Sequence, residues 1–219
     1  MNKLLNLYTY LAALILSPLT AYLWWAEYKN LSAMLNAWLI PILWAYIVPW
    51  IGTNICKVWE IKSRFNLGRF RIHHGFVFGS ATSLFAWLVH QQPAHNLLDI
   101  FTTSLILCSV IGFWNILYDI LAIKAAILFV YNQPWAANKT AEAIVLDYAP
   151  WIFGGFGFCY GLTIASYEFI TQHYEKLSIT VNSLYFLLAL LVCIAFPVLG
   201  IIQKSCKRYG HLGIKPVKR

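Results

Sequence analysis

The chain has 219 residues, of which 60% are hydrophobic and 11% charged, with a net charge of +8. Soluble domains carry about 25% charged residues, so this composition excludes an ordinary soluble enzyme and points to a protein built for lipid. Eleven of the sixteen Lys and Arg fall in two places: Lys57, Lys62, Arg64, Arg69 and Arg71, and the tail Lys204, Lys207, Arg208, Lys215, Lys218 and Arg219. No aromatic-interleaved basic surface accompanies them, so the charge speaks for topology and anionic lipid headgroups and against a nucleic-acid partner.

In chain order, six apolar stretches lie near 4–25, 35–52, 74–90, 97–119, 149–170 and 182–203. Each approaches the roughly 20 residues that cross a bilayer as a helix. The expected fold is all-α: a polytopic integral membrane bundle of about six transmembrane helices. Residues 1–206 form one transmembrane domain and 207–219 a basic cytoplasmic tail. The cationic loop and tail, with Lys3, put both termini on the cytoplasmic side. Glu27, Asp99, Glu168 and Glu175 fall opposite, with only Lys29 and Lys176. The expected location is multi-pass in a bacterial inner (cytoplasmic) membrane.

The first stretch is too long for a signal peptide, and Trp24-Trp25 stands where a small-residue cleavage site would be, so it is expected to be retained. The third stretch is short and carries Ser80, Thr82 and Ser83. Cys56, Cys108, Cys159, Cys193 and Cys206 show no metal-ligand spacing and read as free thiols. Pro18, Pro41, Pro49, Pro150 and Pro197 interrupt the helices, and each frees a carbonyl that must find another donor.

Within 97–119, Ser104, Cys108, Gly112, Asn115 and Asp119 share an arc of about 80° on a helix. A carboxylate inside an apolar run marks a functional site by default. The run Ile100–Val130 would extend about 46 Å, too long for one crossing, so Asp119 belongs at the cytoplasmic end of its helix rather than at mid-membrane. A second stripe, His73, Phe76, Ser80, Ser83, Trp87 and His90, follows the third stretch. A short loop joins spans three and four, which predicts an adjacent antiparallel pair with Arg69, Arg71, His73 and His74 near Asp119. The plain alternative is an Arg71–Asp119 salt bridge.

Downstream, Asn138 or Thr140 can cap a helix leading into Glu142, Asp147 and Tyr148. Gly154, Gly157 and Gly161 make a small-residue stripe, read first as an intrachain packing groove and second as a homodimer seam. His90, His95 and His173 lack metal-ligand spacing, and no phosphate-binding glycine loop, GxSxG or HExxH occurs. The sequence names no metal and no cofactor.

These residues support a membrane-embedded enzyme acting on a lipid or isoprenoid-like substrate by acid/base chemistry in a cytoplasmic-side pocket. Asp119, Asn115, His73 and His74 are its candidate catalytic residues. Arg69, Arg71, Trp114, Tyr118, Tyr131, Asn132, Trp135, Glu142 and Asp147 are its candidate substrate-binding residues. The expected partners are membrane lipid and a hydrophobic substrate. The alternatives are a small-molecule or proton-linked transporter and a non-catalytic membrane subunit.

Overall fold

Long apolar runs without strict alternation can satisfy their backbone away from water only as helices. The chain is accordingly 75% helical. The structure, a computed structural model, describes residues 2–90, 92–136, 138–174 and 177–217, and for Asn2, Lys3 and Asn6 the backbone alone. The charges read from sequence at the Lys3 side chain, Glu175, Lys176, Lys218 and Arg219 lie outside the described residues.

Helix α1 (Asn2–Leu11) passes through a π-helical turn (Ala12–Leu16) into α2 (Ser17–Tyr28), and α3 (Leu31–Trp50) ends in a second such turn (Ile51–Ile55). Three short strands follow, β1 (Trp59–Ile61), β2 (Asn66–Leu67) and β3 (Phe70–Arg71), then α4 (His74–Val89) and α5 (Leu97–Lys124). Strand β4 (Leu128–Val130) precedes α6 (Ala141–Ala149), which runs through a third π-helical turn (Pro150–Gly154) into α7 (Gly155–His173); α8 (Ile179–Tyr209) closes the order. Among the described residues, five segments are long and apolar enough to cross a membrane: Leu7–Tyr28, Leu31–Ile55, Leu97–Lys124, Ala141–His173 and Ile179–Tyr209. Helix α4 has 16 residues, about 24 Å of rise, and is the short member.

Local chemistry sets the boundaries. Asn96 accepts from the amides of Leu98 and Asp99 at the start of α5. Thr140, not Asn138, caps α6 by accepting from Ala143 N at 3.2 Å. Asn138 instead takes a left-handed φ of 65° in the preceding turn. The strands went unforeseen because each has only two or three residues. β1 pairs antiparallel with β4, and β2 with β3. Gly68 opens the β2–β3 turn at φ +68°, where a side chain would also collide with Asn54.

The proline-freed carbonyls find donors from other helices. Pro197 cannot donate to Cys193, and Trp44 Nε1 donates to that oxygen instead, at 2.9 Å. Pro41 likewise leaves the Ala37 carbonyl open, and it accepts from the Tyr160 hydroxyl and from Ser83 Oγ. Two helix breaks thereby become hydrogen bonds that tie α3 to α8, α7 and α4. Trp44 also stacks on Phe78 at 5.1 Å and packs against the tilted ring of Phe156 at 4.3 Å within the core.

The glycine stripe closes within the chain. A Cβ on Gly161 would stand 2.7 Å from Ser104 Cα, and one on Gly157 would stand 2.5 Å from Leu107 O. Gly112 faces Gly154 across the same seam. So Ser104, Cys108 and Gly112 of the polar stripe are the surface that α5 presents to α7. The glycines offered by sequence as a homodimer seam are occupied by α5 of the same chain.

One expectation is corrected here. Helix α4 does not pair closely with α5; it leans chiefly on α3, and α5 leans chiefly on α7. Gly75 and Gly79 are the cause, since a Cβ on either would collide with α3 at Tyr46 or Ile42.

The seam makes a direct prediction. Gly161→Ala is expected to destabilise the protein by about 1–3 kcal/mol through overpacking against the α5 backbone. Gly112→Ala, whose Cβ would lie 3.5 Å from Gly154 Cα, is expected to stay within about 0.5 kcal/mol of the parent. Thermal unfolding of the two variants in detergent, side by side, checks the difference.

Candidate functional site

Where α4 and α5 part, a cavity of about 360 Å³ opens. Its walls are apolar: Trp44 and Val48 of α3, Val77, Phe78 and Phe85 of α4, Trp114 of α5, and Ile152 and Phe153 of the third π-helical turn. Trp59 and Ile61 of β1 and Leu128 of β4 also line it. Trp114 is 46% exposed on the outer surface and stacks on Phe85 at 5.0 Å, so this aromatic pair stands between the cavity and the outer surface.

A few polar groups converge in this chamber: Tyr8, His74, Thr82, Asn115, Tyr118, Asp119 and Tyr148. The Tyr148 hydroxyl donates to Asp119 Oδ2 at 2.6 Å. Asn115 Nδ2 donates back to Ile111 O at 2.8 Å, so its amide nitrogen is engaged by its own helix. Arg71 Nη1 donates to the Tyr118 hydroxyl at 3.2 Å. His74 lies edge-on to Phe70 at 5.7 Å, and its Nδ1 is buried without a hydrogen-bond partner. His73 stacks on Tyr10 at 5.1 Å rather than lining the cavity. Burial and the neighbouring Arg71 charge hold the His73 imidazole below its usual pKa.

The salt bridge between Arg71 and Asp119 does not form: Arg71 makes no ion pair among the described residues. The reason is helical geometry. Tyr118 and Asp119 point about 100° apart on α5, and the guanidinium takes the phenol while the carboxylate takes Tyr148 from α6.

The other sequence candidates lie elsewhere. Arg69 pairs with Glu60 at 2.9 Å and sits over the Tyr131 ring, while Tyr131 donates to the same Glu60. The hydrogen bonds from Arg69 and Tyr131 hold the Glu60 carboxyl below the usual range. Asn132 donates to Gly213 O, and Tyr131 O accepts from Val217 N, so the tail folds back on this loop. Glu142 pairs with Lys124. Asp147 is buried and receives Lys204, Arg208, Tyr209 and Gln133, while Trp135 bonds Tyr209. These contacts fasten α6 and the loop to the end of α8. Of the nine candidate binding residues, only Trp114 and Tyr118 line the cavity.

Sequence reasoning missed two things. Tyr148 is Asp119's partner, and its only signal was a lone phenol ahead of Pro150, 29 residues away. The second is a cluster at the opposite end of the bundle. Glu168, 5% exposed, accepts from Tyr28 OH, bonds His90 Nε2 at 2.7 Å and accepts from Ala94 N at 3.1 Å. Glu27 lies 3.7 Å from His90 Nδ1. Glu168 is also a lone carboxylate in an apolar span, the same signal that singled out Asp119. Among the described residues no three His, Cys, Asp or Glu side chains are grouped to hold a metal ion.

No protein-family model, curated protein or solved structure matches this chain. Its class rests on fold and site: a nearly all-α protein with five membrane-length helices around an apolar cavity that holds a hydrogen-bonded carboxylate.

The His90 pair predicts a pH dependence. Burial pulls its imidazole down, but the hydrogen bond and charge of Glu168, with Glu27, outweigh burial and raise its pKa above 6.5. A folded value above the unfolded one means the contribution is complete below about pH 6.5 and is lost as pH rises through the folded value. Thermal stability should therefore fall as pH rises above about 6.5. In His90→Gln this slope should be largely abolished.

Proposed function

We propose that this protein is a membrane-embedded enzyme that acts on a lipid or isoprenoid-like substrate by acid/base chemistry around Asp119. The observation that carries this reading is the convergence of Asp119, Asn115 and His74 in one apolar chamber of about 360 Å³. That volume lies within the range of about 300–1,000 Å³ common to small-molecule sites, which pair apolar walls with a few placed polar groups.

In this reading the chain crosses the membrane six times, α4 being the short crossing, and both termini face the cytoplasm. The cationic segment 57–71 and the end of α8 flank the end of the bundle where Asp119 lies, as the distribution of positive charge requires. The substrate enters from the lipid past Trp114 and Phe85 and lays its apolar part against Trp44, Val48 and Phe78. Asp119 exchanges a proton with the reacting end. Tyr148 fixes the carboxylate's orientation and stabilises its charged form through the hydrogen bond at 2.6 Å. His74, which lines the same chamber with Nδ1 uncommitted, is the proton partner.

A proton-linked carrier is the second reading, favoured by one observation: Glu168 is a second buried carboxylate, bonded to His90, at the opposite end of the bundle. A carrier would use both acids, an enzyme only Asp119.

Native mass spectrometry of the purified protein, followed by assay of the co-purifying lipid class as substrate, tests the proposal. Asp119→Asn is expected to keep the fold and the bound lipid while lowering turnover by about a hundredfold or more. Unchanged turnover would remove Asp119 from the chemistry. Equal loss of uptake into vesicles in Asp119→Asn and Glu168→Gln, with no lipid turned over, would select the carrier.

A further inference from the structure

Residues 71–74 hold a set of nitrogen donors that the protein itself leaves unused. Arg71 is 3% exposed, yet it makes no ion pair among the described residues; its guanidinium donates instead to a phenol, Tyr118. Its Nε, together with His73 Nε2 and His74 Nδ1, is buried and has no hydrogen-bond partner. A guanidinium withdrawn from water without a counterion is costly, and that cost is normally offset by an anion or a full set of acceptors. The place also has a direction. His73 is the N-cap of α4 and provides no side-chain cap, so the first-turn amides of α4 point toward the same junction. The site adjoins the cavity: His74 lines it, and so does Tyr118, the phenol that Arg71 holds.

We propose that Arg71, His73, His74 and the α4 N-terminus bind the phosphate or diphosphate head of an amphiphile whose apolar chain occupies the adjoining cavity. This deepens the enzyme reading and rests on it for the substrate's presence at Asp119. Phosphate fits better than carboxylate. A phosphate monoester brings up to two negative charges and three free oxygens, against one charge and two oxygens for a carboxylate, and the donors here come from a strand, a cap residue and a helix start. Arg69, placed with Arg71 by the sequence, takes no part, because Glu60 already neutralises it. The same donors could receive free phosphate, so the test separates the two sources.

The full-length protein in a neutral detergent is titrated with monododecyl phosphate, with dodecanol and with inorganic phosphate. Tryptophan fluorescence is the readout, because Trp44, Trp59 and Trp114 line the cavity. Dodecyl phosphate is expected to bind saturably and about tenfold or more tightly than either dodecanol or inorganic phosphate. Arg71→Gln should weaken dodecyl phosphate by about tenfold or more and leave dodecanol unchanged, as expected for loss of a charge-assisted hydrogen bond. Arg71→Lys, which keeps charge but loses the fork, should fall between. Equal affinity for dodecyl phosphate and dodecanol in the parent protein overturns the proposal, and this comparison needs no variant to fold. Unchanged binding in Arg71→Gln also overturns it, and inorganic phosphate binding as tightly as dodecyl phosphate overturns the amphiphile. Asp119→Asn is expected to bind dodecyl phosphate no more weakly than the parent. Failure of the acid/base reading would therefore appear in turnover, and failure of this one in headgroup preference.

Discussion

The approach of α5 to α7 is the constraint on which the rest of the structure depends. Ser104, Leu107 and Cys108 on one helix meet Gly157 and Gly161 on the other closely enough that a single added methyl at Gly161 would lie 2.7 Å from backbone. In lipid there is little hydrophobic gain in bringing two apolar helices together, so close van der Waals packing over small residues supplies the association. Helix α4 is drawn to α3 by the same device at Gly75 and Gly79. Each of the neighbours α4 and α5 thus has a tighter partner on its far side. The space between them is left for a cavity.

That division explains the chemistry of Asp119. Its helix buries the upper part of the polar stripe against α7, and only past Gly112 does the stripe emerge into open space. Asn115 and Asp119 lie on that emergent part. The α6 segment, continuous with α7 through the π-helical turn at Pro150–Gly154, carries Tyr148 to the carboxylate. Helix packing thereby places a hydrogen-bonded acid at the polar end of an apolar chamber, with Trp59, Ile61 and Leu128 of the strands in its wall. A carboxylate in such a place is tolerable because it has a donor within 2.6 Å, and useful because the walls exclude most other polar groups.

The proline breaks show a second economy. Pro41 and Pro197 each open a carbonyl inside a membrane-length helix, and Tyr160 and Trp44 close them from neighbouring helices. Tyr160 and Trp44 are also core side chains, so the same residues provide apolar area and the missing donor. At the Asp119 end of the bundle the polar groups divide two ways. Asp147 gathers Lys204, Arg208 and Tyr209 into a fastening that leaves little for a ligand, whereas Arg71, His73 and His74 keep uncommitted nitrogens.

Much of this was legible in the sequence. Composition and the lengths of the apolar runs required membrane-length helices, because a backbone in lipid must satisfy itself within each segment. The lone acid in an apolar run marked Asp119, and the i, i+4 spacing marked Asn115. The same lone-acid signal was present at Glu168, which the sequence placed only among the acids opposite the cationic segments. What sequence could not contain were the partners. Whether Arg71 met Asp119 or Tyr118, whether Arg69 was available or held by Glu60, and whether the glycines faced another copy or α5 all depended on which helices paired. Pairing is a contest among several small-residue surfaces within one chain, decided by backbone distances of a few tenths of an ångström. The sequence by itself determined the class of fold and the residue to watch; only the tertiary structure decided that α4 and α5 would part, and so that this residue would have a cavity and a phenol beside it.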